Sequence, residues 1–212
     1  MNRTSSHGIE DRINRIYAAV AGIREEDLTK FPPKVVDAGG VVRVWQDFRG
    51  GMTDADLQNA IHALDHNIAH MEDHLRKWAG RDEAKKAHIR SSLASCRPFL
   101  IVKDLSDNDK HGYPPRDGGL SKVAPRLVDV ARFLRMTTGA TKGSSVGMVL
   151  TTEGAKVFSK GGGTSEVVTT GIVLSSAGDK IGDFRDLALE AVECVEALLK
   201  DLGLPKPSRK AL

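Results

Sequence analysis

The stretch TDADLQNAIHALDHNIAHMEDHLRKWAG, residues 53–80, restricts the fold more than any other. Leu57, Ala60, Ile61, Leu64, Ile68, Met71, Leu75 and Trp78 recur at intervals of three and four. At about 100° per residue they fall in one sector, the apolar stripe of a helix that has to face a core. Thr53 followed by Asp56 is a capping-box pattern, and Gly80 supplies a stop. The spacing therefore predicts one long helix, and the rest of the chain must provide apolar surface along its whole length.

The opposite side of this helix carries His62, His66, His70 and His74. Each step of four residues drifts by about 40° and the row climbs about 18 Å, so the four imidazoles cannot converge on one ion. His66 and His70 have the spacing of an H-E-x-x-H pair, but Asn67, Ile68 and Ala69 stand between them, with no glutamate. The row reads as a polar face turned to solvent or to a partner. A His/Asp network against another helix, drawing on Asp65 and Asp73, is the alternative. No metal and no other cofactor is expected.

Partners for the apolar stripe follow from the flanking pattern. Ile9, Ile13, Ile16 and Val20 share one face of a short helix near the N-terminus. Between it and Thr53 the chain reads as loop with one strand, VVRVW. After a turn at Asp82, Ile89, Leu93 and Cys96 mark a helix running antiparallel to the histidine helix. Pro98 then opens a fresh helix, ended by Lys110, His111 and a left-handed Gly112, with YPPRDGG as loop. The second half changes period: LVDVARFLRMTT, SVGMVLTT, AKVFS and SEVVTTGIVLS predict an antiparallel meander of four strands, with SKGGGTSE as a hairpin loop. Three glycines there are not a phosphate cradle, because no Gly-Lys-Ser/Thr and no helix follow. Phe184, Leu187, Ala191, Cys194 or Val195, Leu198 and Leu202 predict a closing helix that covers one face of the meander. The basic tail KPSRKAL is expected to fray. The reading is α+β: a helical region over 1–112 with a long antiparallel helix pair, then a β-meander plus closing helix over 113–212, packed as one compact unit.

Composition narrows function by exclusion. A chain of 212 residues, 40% hydrophobic, can bury a real core. Its 31 basic residues are interspersed with 28 acidic ones, so no polyanion-binding stripe is announced. Cys96 and Cys194 lie in apolar surroundings at unrelated places, which fits reduced, buried thiols and hence the cytoplasm. No apolar run approaches the roughly 18 residues of a membrane span, and the first residues, MNRTSSHGIE, lack an apolar leader core. No G-x-S-x-G elbow is present to support a Ser-His-Asp site.

One stretch, PFLIVKDLSDNDKHG, resembles a helix found in a loose collection of uncharacterised bacterial and phage proteins, where a Pro-started helix runs into D-L-x-N-x-x-K-H or N-x-D-K-H. The matching residues are Asp104, Leu105, Asn108, Lys110 and His111; Asp107 stands where the first pattern has Asn, and Gly112 replaces an Arg common in the second. Polar Asn/His helices of this kind look similar to HEPN-type domains. That resemblance implies metal-independent RNA cleavage by an R-x4-6-H motif, whose literal form here runs from Arg81 to His88. In such a role His111 is the acid/base, Lys110 the electrostatic stabiliser and Asn108 the orienter. The structural alternative has Asn108 and His111 satisfying backbone groups at a helix end, with Lys110 solvated. Three functional expectations follow: a non-catalytic interaction or regulatory protein acting on a protein partner or a second copy of itself; as the alternative, a HEPN-like ribonuclease or toxin, with RNA as its partner; and a His-based metal hydrolase, which the histidine geometry ranks last. None involves a membrane.

The stripe itself is testable. Leu64→Ala or Ile68→Ala should each cost about 2–4 kcal/mol in denaturant unfolding through lost burial and a cavity, and His66→Gln far less. Equal losses at both kinds of position would place the histidine face in the interior as well.

Overall fold

The computed structural model describes residues 6–37, 39–151 and 154–204; the basic tail lies outside them. Helix α1 (Ser6–Gly22) buries Ile9, Ile13, Ile16, Tyr17 and Val20, the predicted face plus one tyrosine. Helix α2 (Asp54–Ala69) opens on the capping box: Thr53 Oγ1 accepts from the Asp56 amide at 3.2 Å and Asp56 Oδ2 accepts from the Thr53 amide at 2.8 Å. The expected single helix is in fact two, because it breaks at His70 and resumes as α3 (Met71–Trp78). Hydrogen bonds from His70 N to His66 O and from His74 N to His70 O, both 3.1 Å, carry the ladder through the break. The apolar stripe therefore continues across it, and Leu57, Ile61, Leu64, Ile68, Met71 and Leu75 are fully buried.

Gly80 takes a φ of +62° and stops α3. Helix α4 (Glu83–Ala94) starts from Asp82, whose side chain accepts from the Lys85 amide, and buries Ile89 and Leu93. Helix α5 (Arg97–His111) begins at once, with Cys96 as its N-cap and Pro98 in its first turn, where a missing N–H is tolerated. Gly112 ends it with φ 86° and ψ 159°, an extended positive-φ conformation reserved for glycine rather than the expected left-handed helical one.

The predicted meander is corrected by the pairing. Strand β4 (Arg126–Thr137) pairs antiparallel with β7 (Thr164–Leu174), from Arg126 opposite Leu174 to Thr137 opposite Thr164. Between them β5 (Ser145–Thr151) and β6 (Gly154–Lys160) form a separate two-stranded ribbon. SKGGGTSE is thus the neck between two ribbons and not a hairpin loop. Thr141 Oγ1 donates to Gly161 O at 2.7 Å, and a Cβ on Gly139 would meet that same carbonyl at 2.7 Å, so the neck needs a glycine there. The far edge of β7 takes β1 (Arg24–Glu25) and β8 (Lys180–Asp183), which makes β7 the central, buried strand. The loop before Thr53 also holds more than the one predicted strand, since β2 (Lys34–Asp37) pairs with β3 (Val42–Trp45) as a hairpin.

Helix α6 (Phe184–Asp201) lies against α5 and along β7 and β8, and its buried residues, from Phe184 to Leu199, join those of all five other helices in one core. Two buried polar ties cross that core. Tyr17 donates to Glu196 at 2.5 Å, and Glu166 on β7 is held between Arg24 at 2.5 Å and Arg185 at 3.0 Å. Burial lowers the Arg185 guanidinium from its usual range, with Glu166 opposing that shift.

The cysteines overturn the expectation of reduced thiols: Cys96 and Cys194 are joined in a disulfide, 98 residues apart in sequence, and none of the described cysteines is free. Their apolar setting was read correctly, but two helices packed side by side bring the thiols together. With them goes the inference of a reducing compartment. Among the described residues no helix is long and apolar enough to cross a membrane.

Candidate functional site

Helix α5 organises the candidate site because it presents two polar stripes. Residues 103, 106, 109 and 110 face α2 and α3, whereas 104, 108 and 111 lie roughly 100° or more round the helix and face the returning loop.

Along the first stripe, α5 meets the histidine row, and the row is half-buried instead of solvated. Asp65 of α2, 1% exposed, lies at its centre. His66 Nδ1 is 2.8 Å from Asp65 Oδ1 and also 2.8 Å from Ser106 Oγ. A carboxylate at that distance requires a proton on Nδ1, which donates to Asp65 and leaves Nε2 facing Asp109 at 3.5 Å. His62 sits between the same two carboxylates, with Nδ1 3.4 Å from Asp65 and Nε2 3.9 Å from Asp109. These are charge contacts, too long for good hydrogen bonds. Asp65, reinforced by Asp109, still holds the His62 imidazole above the usual histidine range against the opposing effect of burial. One turn on, Lys110 Nζ donates to His70 Nε2 at 2.7 Å, and Lys103 pairs with Glu72. The His/Asp network, and not the free polar face, describes this side of the helix.

The network is not a Ser-His-Asp triad. In a triad the serine and the carboxylate occupy opposite nitrogens of the ring. Here Ser106 and Asp65 share Nδ1, and Ser106 is completely buried. Among the described residues no three or more His, Cys, Asp or Glu side chains are grouped to hold a metal ion.

The second stripe anchors a loop. Asp104, 2% exposed, accepts from the Leu120 amide at 2.8 Å, the Ser121 amide at 2.7 Å and Ser121 Oγ at 2.5 Å. Gly119 is pressed so closely on this carboxylate that a Cβ would lie 2.6 Å from it. Asn108 Nδ2 donates to Pro125 O at 2.8 Å, while its Oδ1 is buried without a hydrogen-bond partner.

The three residues assigned by resemblance are thus divided. Asn108 and His111 line a hollow of about 580 Å³ with Arg116 and Lys122, beside Asp107 and Asp117. Lys110 is on the other stripe, against His70. Arg81 and His88 are both exposed, the first in the turn before α4 and the second on its outer face. A smaller hollow of about 240 Å³ lies between the stripes, lined by Gln58, His62, Asn108, Asp109, Tyr113 and Arg126. Asp65 is signalled by its place beside the histidine row, whereas Ser106 and Asp109 come to that row only through the packing of α5. Their spacing of three on α5, opposite the histidine spacing on α2, was the available signal. Compared with family models, curated proteins and solved structures, the chain matches none.

His62 gives a pH test. Its folded pKa is raised, so its contribution to stability is present below the ordinary histidine value of about 6.5 and is lost as pH rises through the folded value. His74 is shifted the other way by burial and by Arg12, so it withdraws stability as pH falls instead. Urea unfolding between about pH 5.5 and 8.5 should therefore show the alkaline decline flattened in His62→Gln and the acid decline flattened in His74→Gln. An unchanged alkaline limb in His62→Gln would show that the carboxylates do not hold its proton.

Proposed function

We propose that this protein is a non-catalytic interaction or regulatory protein of bacterial or phage type, and that its hairpins bind a protein partner. The observation that supports this is the β2–β3 hairpin, every residue of β2 being exposed. Val35, Val36, Val41 and Trp45 leave 42%, 49%, 57% and 63% of their surface to solvent. A two-stranded hairpin without an apolar face to rest on is marginal in water; the register puts Val36 and Trp45 on one of its faces and Val35 on the other, and large apolar side chains exposed on such a hairpin are suited to burial against a partner. The β5–β6 ribbon repeats the pattern with Met148, Val149 and Phe158. The histidine row takes no part, since α5 already occupies it.

The test is site-directed photocrosslinking in cells, with the probe in place of Trp45 or Phe158 and, as control, in place of exposed Arg90 on α4. The reading expects one defined adduct from the hairpin positions, absent from the control and abolished by Val36→Asp; twice the chain mass would identify a second copy. Equal or absent adducts at hairpin and control positions would overturn it.

The ribonuclease reading keeps one observation in its favour, the shared hollow of Asn108, His111, Arg116 and Lys122. There His111 would move the proton of the attacking 2′-hydroxyl, and Arg116 or Lys122, not Lys110, would stabilise the phosphorane. Asp107 and Asp117 in the same hollow oppose a polyanion. If RNA is cleaved in the presence of chelator, His111→Ala should lower the rate by about 10²–10⁴ while costing at most about 1 kcal/mol of helix-end interaction. No cleavage by folded wild type would remove this reading.

A further inference from the structure

We propose that Cys96 and Cys194 form a thiol–disulfide exchange site, in which an external thiol attacks Cys194 and Cys96 leaves as a thiolate held by the first turn of α5. The two sulfurs are chemically unequal. Cys96 is the N-cap of a fifteen-residue helix, and the Phe99 amide donates to its Sγ at 3.4 Å. Pro98 has no N–H, and the Leu100 amide is taken by Cys96 O at 3.1 Å. The Phe99 amide thus has the sulfur as its partner. A disulfide sulfur is a poor acceptor and a thiolate a strong one, so this contact gains most in the state that follows bond breakage. Arg97, the next residue, adds a positive charge to the same first turn.

Cys194 has the opposite setting. It lies in the middle of α6, far from a helix N-terminus, with Glu190 one turn before it on the same face of the helix. A thiolate there is disfavoured by like charge. It is also the more exposed of the two residues: Cys194 is half-buried, whereas Cys96 is 7% exposed. Burial opposes charge on Cys96, but a fixed amide aimed at the sulfur supplies what water would have supplied. Access and leaving-group stability therefore select the same direction of attack.

The exchange balances with a thiol as the only co-reactant. The incoming thiolate forms a bond to Cys194 Sγ while the Sγ–Sγ bond breaks, and that bond's electron pair leaves on Cys96 Sγ. A second thiolate then attacks the incoming sulfur, releasing Cys194 as a thiolate that takes up a proton and joining the two external thiols as a disulfide. Both helices remain held by the shared apolar core, so reduction does not require unfolding. A disulfide that turns over in this way is also the kind found in a reducing cytoplasm, where such bonds are transient.

Three measurements decide it. Folded wild type is exposed briefly to glutathione, quenched in acid and mapped by mass spectrometry; the adduct is expected on Cys194. In Cys194→Ser, the thiolate absorbance of Cys96 should show a thiolate fraction at neutral pH at least about ten times that of Cys194 in Cys96→Ser, equivalent to one pKa unit or more. Circular dichroism before and after reduction should superimpose. No adduct until denaturant is added would show a permanent staple, whereas an adduct on Cys96 or equal thiolate fractions would overturn the assigned direction of attack and with it the proposal. Should either variant fail to fold, the mapping on wild type decides alone.

Discussion

A carboxylate sealed from water has to be met by protons or fixed dipoles, because an unpaired buried charge costs several kcal/mol. Asp65 on α2 and Asp104 on α5 impose that requirement on both flanks of α5. Asp65 draws in His62 and His66 and thereby sets the face along which α2 and α5 meet. Asp104 draws in two backbone amides and a hydroxyl from Leu120 and Ser121, which fixes where the chain turns back before β4. With α5 held on both sides, its apolar residues Phe99, Ile101 and Val102 reach the common core, and α6 has a surface to close upon.

The helices were legible because their signals are local and redundant. The stripe from Leu57 to Leu75, the Thr53 capping box, the Gly80 stop and the start of α5 at Pro98 each involve residues within one or two turns. Strand existence was equally legible in Val- and Thr-rich runs, but strand partners were not. A meander assumes that neighbours in sequence pair, and β4 instead skips two strands to reach β7. What decides this is the neck, where Thr141, Ser144 and Gly161 close a contact between segments twenty residues apart. The β2 strand was not legible because Lys34–Asp37 does not alternate apolar and polar residues, whereas Val42–Trp45 of the same hairpin does.

The disulfide marks another boundary of what pattern can carry. Apolar surroundings were the correct reading of both cysteines, yet the same surroundings suit a buried thiol and a buried bridge. Only the side-by-side packing of α5 and α6 separates the two, and that packing depends on contacts spread over half the chain.

The division of Asn108, Lys110 and His111 was, by contrast, open to arithmetic. On a helix, positions three apart lie about 60° from each other and positions two apart about 160°. Asn108 and His111 were therefore bound to share a side, and Lys110 to stand away from Asn108. A cluster of chemically suggestive letters in one helical turn is not a cluster in space. The same arithmetic places Ser106, Asp109 and Lys110 together, facing His66, His62 and His70. Of the three residues assigned by resemblance, Lys110 alone stands in this face, where it meets His70 and helps two helices with charged surfaces pack. Among the described residues the exposed large apolar side chains lie mostly on the hairpins, with Tyr113, Leu120, Phe133 and Met136 elsewhere, at the opposite end of the chemical scale from the polar motif of α5.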